Sequence, residues 1–134
     1  MSSVLFLKTS FIWLVIAALA IANGAFREKV LIAYLGEKAA LPLSGLSLSL
    51  IVFLTAYLLF SLIGIYKRKV YFIIGFQWVI MTLIFEFLFA HFVVGKTWID
   101  ILQTFNVFKG DLFVVVLVVS FFSPFIIAKL KGIL

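Results

Sequence analysis

The sequence predicts an all-α integral membrane protein: a four-transmembrane-helix bundle with two short amphipathic interfacial segments. Three observations carry this reading. Of the 134 residues, 66% are hydrophobic and only 12% are charged. A soluble domain of this size cannot cover so much apolar surface with so few charges, so the solvent is lipid. The apolar residues also fall into four runs, each near the roughly 20 residues that a helix needs to cross a bilayer. Finally, these runs are apolar on every face, whereas the strands of a membrane barrel alternate apolar and polar. The expected spans are residues 4–24, 43–66, 70–94 and 112–130, in a single transmembrane domain covering 1–134.

Val4 to Ala22 is the first run, interrupted by Lys8, Thr9 and Ser10. Two readings compete. Ala20-Ile21-Ala22 has the A-x-A form of a signal-peptide cleavage site. As a retained span, the run offers Ala17, Ala18, Ala20, Ala22 and Gly24 for close helix packing. Lys8 sits too deep for a basic leader, and three further spans follow without a soluble mature domain. A retained anchor is expected.

Asn23 to Leu41 is mixed in charge. Phe26, Val30, Ala33 and Tyr34 recur at helical spacing, with Arg27, Glu28, Lys29, Glu37 and Lys38 elsewhere. This pattern predicts a short helix lying in the interface, with Gly36 ending its first part. A plain connecting loop is the competing reading. Pro42 suits the first turn of the second span. Ser44, Ser47 and Ser49 follow, and their reading is helix packing rather than catalysis. Lys67-Arg68-Lys69 makes a very short turn into the third span, which predicts an antiparallel hairpin.

The third span, Val70 to Val94, is apolar apart from Gln77, Thr82, Glu86 and His91. A carboxylate near the bilayer centre costs about 2.5–3.5 kcal/mol. Glu86 shares a helix face with Gly75, Val79, Thr82 and Ala90, so that face is expected to pack on another helix. Beyond it, Thr97 and Asp100 fit a helix N-cap with an acid three residues on. Trp98, Ile101, Leu102 and Phe105 form the apolar stripe of the second interfacial segment. Asn106 and Gly110 read as loop. Leu112 to Leu130 is the fourth span, with Ser123-Pro124 inside it and a kink expected there.

Orientation follows from the basic residues. The end shared by the termini and the 66–70 turn carries Lys8, Lys67, Arg68, Lys69, Lys129 and Lys131, with no acid. The other end mixes both signs. Both termini are therefore expected in the cytoplasm. The net charge of +6 is spread over the span flanks rather than along one helix face, so no nucleic-acid partner is expected.

With that orientation, Asn23, Arg27, Glu28, Glu86, His91, Lys96, Asp100 and Asn106 all fall toward the outer face. Together they form the candidate polar cluster. Depth along the helices brings Glu86 nearly level with Asn23, and predicts an Arg27–Glu86 pair. The chain has one histidine and no cysteine. Haem and zinc sites need more ligands than this, so no metal or other cofactor is expected. No spacing supports a Ser-His-Asp triad.

Asn23-Gly24-x-x-Arg27-Glu28, Phe85-Glu86 with His91, Gly95-Lys96-x-Trp98, and Asn106 with Gly110 together form a pattern. It resembles that of an uncharacterised family of small four-span bacterial inner-membrane proteins. The resemblance implies a bacterial inner membrane and four spans, and no mechanism. The chain departs from the small multidrug transporters, whose signature carboxylate is in the first span. The absence of a catalytic constellation favours a small binding or accessory protein, whose partners are the lipid bilayer and a bound lipid, another protein or further copies of itself. The alternatives are an oligomeric transporter or channel using Glu86, and a membrane enzyme acting on lipid substrates.

Overall fold

The computed structural model describes residues 3–106 and 112–133. Among these it is helical throughout, with no strand. Helix α1 runs from Ser3 to Phe26, passes through a π-helical turn at Arg27–Leu31, and continues as α2, Ile32–Leu35. After Gly36 come α3, Glu37–Leu58, and α4, Arg68–Leu88, which ends in a second π-helical turn at Phe89–Val93. The short α5 is Trp98–Leu102, and α6 is Phe113–Leu130. Four helical stretches are long and apolar enough to cross a membrane: Ser3–Leu35, Glu37–Leu58, Arg68–Val93 and Phe113–Leu130. The protein is thus built as a multi-pass membrane protein.

The first connection differs from expectation. No separate helix lies in the interface, because the first span continues unbroken for 33 residues, to Leu35. At 1.5 Å per residue that is about 50 Å, against a hydrocarbon core of about 30 Å. Asn23-Gly24 does not stop the helix, because good helix formers stand on both sides of the pair. Gly36 does stop it: its φ of +81° lies in the region that favours glycine. α3 then starts at Glu37, so Pro42 sits inside the helix rather than in its first turn. The result is a helical hairpin longer than a bilayer's hydrocarbon core is thick.

The second connection is shorter and tightly fastened. Tyr71 is fully buried; its hydroxyl donates to the Gly64 carbonyl at 2.8 Å and accepts from the Tyr66 N–H at 2.9 Å. Its ring stacks on Phe60 at 5.6 Å. The hairpin is nevertheless closed only at this base, because α6 lies between α3 and α4 and packs along both. Two glycines make room for α6. A Cβ on Gly75 would stand 2.0 Å from the Phe121 carbonyl oxygen, and one on Gly45 would stand 2.6 Å from Leu112 Cβ. α1 packs on α3, which gives the ring order α1, α3, α6, α4. The core follows the ring's interior, with Ile12, Val52, Ile74, Trp78, Val116 and Ile127 all buried.

The face on which Gly75 and Glu86 lie does meet another helix, with Gly75 against α6. Pro124 is fully buried inside an α6 that runs unbroken to Leu130. Ser120 donates to the Val116 carbonyl and Ser123 to the Val119 carbonyl. The Thr97 cap forms as expected, its hydroxyl accepting from the Asp100 N–H at 3.2 Å.

Candidate functional site

The α1–α4 seam closes the ring, and the two backbones touch less there than at the other three seams. Long polar side chains bridge the distance. Thr9 is fully buried, and its hydroxyl lies 2.9 Å from Gln77 Oε1 and 3.0 Å from the carbonyls of Leu5 and Phe6. Gln77 Nε2 donates to Ser10 Oγ at 3.0 Å. The indole of Trp78 donates to the Thr9 carbonyl at 3.1 Å, and that of Trp13 donates to Thr82 Oγ1 at 3.0 Å. Polar groups in hydrocarbon must find partners within the protein, and these find them across the seam. Among the described residues no buried side-chain polar atom lacks a partner. The network is neutral and its buried polar atoms are all partnered, so it acts as a clamp between the two helices.

Beyond the clamp, toward the end opposite the termini, a groove of about 580 Å³ runs along α4. Trp13 forms its foot on α1, and Met81, Phe85, Leu88, Phe89 and Phe92 are among its α4 lining. All eight lining residues are apolar or aromatic. Two of the lining residues, Trp13 and Phe85, meet edge-on at 5.8 Å. At the far end Phe92 meets His91 edge-on at 4.8 Å. His91 Nδ1 donates to the Lys96 carbonyl at 2.9 Å, which leaves Nε2 as the ring's other polar atom. The same ring stacks on Trp98 at 3.8 Å.

Of the expected polar cluster, the described contacts join Asn23 to Ser44, Arg27 to Glu28, and His91 to Lys96. Asn23 Oδ1 accepts from Ser44 Oγ at 2.6 Å, joining α1 to α3. Arg27 pairs with its chain neighbour Glu28 at 3.3 Å. Glu28 needs no inward reach of the arginine side chain, whereas Glu86 would. Glu86 is half-buried on α4 and has a partner of its own, as does Asn106. His91 and Lys96 are brought together through the backbone of Lys96, and Asp100 sits at the α5 cap. Among the described residues no group of three or more His, Asp or Glu side chains is placed to hold a metal ion.

Sequence reasoning passed over Thr9, Ser10, Trp13 and Trp78 as site residues. The signal was present, since Thr9 and Ser10 interrupt an apolar run and Gln77 and Thr82 interrupt another. Opposing them required knowing that α1 and α4 are neighbours. No family model, curated protein or solved structure matches this chain.

Proposed function

We propose that this is a membrane-embedded binding or accessory protein that takes one hydrocarbon chain of a lipid into the groove along α4. The groove carries the reading: it runs along a candidate span, is lined wholly by apolar side chains, and is bounded on the α1 side by Trp13. An apolar pocket open to hydrocarbon favours a hydrocarbon occupant, because water there would leave its hydrogen bonds unmade. The setting proposed is a bacterial inner membrane, with both termini in the cytoplasm and the groove in the outer leaflet. Lipid held in this way suits a protein that presents it to a larger partner.

The test is reconstitution with a phospholipid bearing a photoreactive group on one acyl chain, followed by mapping of the crosslinks. Adducts should concentrate on Met81–Val93 and Trp13, and Leu88→Trp, which fills the groove, should reduce them. Adducts spread evenly over the lipid-facing sides of all four spans would refute the reading. Glu86, a half-buried carboxylate within a span, supports a second reading as a transporter. Proton-coupled flux in vesicles, lost in Glu86→Gln, would select it.

A further inference from the structure

Among the described residues the fold segregates charge by end. At the end where Leu5, Phe60, Ile63, Tyr71 and Ile127 close the core, the charged residues are Lys8, Lys67, Arg68, Lys69, Lys129 and Lys131. Among the described residues no Asp or Glu accompanies them. Toward the opposite end, the described residues carry Arg27, Lys29, Lys38 and Lys96 against Glu28, Glu37, Glu86 and Asp100, so the signs cancel. Among the described residues the excess of positive charge is therefore that of one end.

Two of the six cations are held in place by aromatic rings. Arg68 Cζ lies 5.5 Å from the centre of the Phe125 ring. Lys131 Nζ lies 4.4 Å from the Tyr57 ring centre and 5.9 Å from that of Phe60. The rings attract the cations through their quadrupoles and spare them the need for acidic partners. Both residues stay exposed, as do Lys8, Lys67, Lys69 and Lys129. Phe125 and Lys131 belong to the C-terminal part of α6 and its exit, so Arg68 and Lys131 flank the same helix end.

We infer that this end is a binding surface for anionic phospholipid headgroups, with Arg68 and Lys131 as its fixed points and Lys67, Lys69 and Lys129 as the mobile surround. Five of the six, Lys67, Arg68, Lys69, Lys129 and Lys131, stand at the ends of candidate spans, where headgroup phosphates would lie if those helices cross a bilayer. Basic residues beside a membrane surface each add attraction to acidic lipid. Preset cations lose less freedom on binding than free side chains do. This surface and the groove lie toward opposite ends of the bundle, so either can hold without the other.

The experiment is native mass spectrometry of the full chain released from bilayer discs of equimolar phosphatidylglycerol and phosphatidylcholine. Retained lipid should be enriched in phosphatidylglycerol by about fivefold or more, on the scale of a surface that gains one well-placed charge contact. Arg68→Gln with Lys131→Gln should bring the ratio close to one. Lys67→Gln with Lys69→Gln should lower it by less. Raising salt from about 50 to about 500 mM should also lower the wild-type ratio, and this readout requires no variant to fold. A wild-type ratio near one, or enrichment insensitive to both salt and the Arg68/Lys131 change, would overturn the inference. So would enrichment abolished by Lys29→Gln with Lys96→Gln at the opposite end. Co-purified nucleic acid or an acidic protein in place of lipid would overturn it as well.

Discussion

Trp13 and Thr82 are joined across the α1–α4 seam by a hydrogen bond of 3.0 Å, and the same indole lines the groove edge-on to Phe85. One side chain therefore serves both the clamp and the groove. Bonds of this kind in membrane bundles have modest net strength, about 0.6 kcal/mol on average and about 1.7 at most. Their effect here is mainly to set the angle and register of two helices whose backbones stand apart.

Trp13→Phe keeps a ring in place and deletes the donor, while Thr82→Val keeps the shape and deletes the acceptor. A double-mutant cycle on unfolding in mixed detergent micelles should give a coupling of about 0.6 kcal/mol. Strictly additive losses would show that the bond contributes nothing.

Gly75 and Gly24 should respond in opposite directions to alanine. At Gly75 the new methyl would meet the Phe121 carbonyl, so α4 and α6 must separate. A loss at or above the usual overpacking cost of about 1–3 kcal/mol is expected. At Gly24 the nearest atom to the new methyl is a guanidinium nitrogen of Arg27, 3.9 Å away. Alanine should there be neutral or stabilising by up to about 1 kcal/mol, the difference in helix propensity. Thermal melts of both variants in detergent decide the matter, and equal melting temperatures would contradict the packing described for Gly75.

Pro124→Ala should leave the protein folded. The change restores an N–H that can bond the Ser120 carbonyl, worth about 0.5–1.5 kcal/mol. It also removes about two buried carbons, at about 0.8 kcal/mol each. The two effects nearly cancel, so stability should move by about 1 kcal/mol or less. Loss of membrane insertion would show that the proline is required in the fold.

Single cysteines in place of Lys69 and Lys96 test the orientation. If the basic end is cytoplasmic, as proposed, an impermeant maleimide applied to intact cells should label position 96 and spare position 69. Labelling of 69 alone would invert the topology and move the groove to the other leaflet.

The four spans were legible because hydropathy is a local property, and the Thr97–Asp100 cap because its pattern spans only four residues. The helical extension to Leu35 was not legible. Arg27 to Lys38 has the composition of an interfacial helix, and only the direction of the chain distinguishes a helix that lies down from one that continues. The Arg27–Glu86 pairing was drawn from depth, which sets a level in the membrane but no direction around the helix. Arg27 found an acid next to it instead. The clamp depends on which helices are neighbours. That order is set by Gly45 and Gly75 admitting α6, and no local pattern around Thr9 or Gln77 announces it.

The position of α6 between α3 and α4 bears on how the protein is assembled. Synthesis delivers α1, α3 and α4 to the bilayer before the helix that joins them. Until then Gly45 and Gly75 would lack the α6 backbone that they admit in the fold, and a three-helix intermediate would keep a notch for it. A chain divided between Asn106 and Leu112 should for the same reason reassemble from two separately expressed fragments, with α6 entering the notch as a free segment.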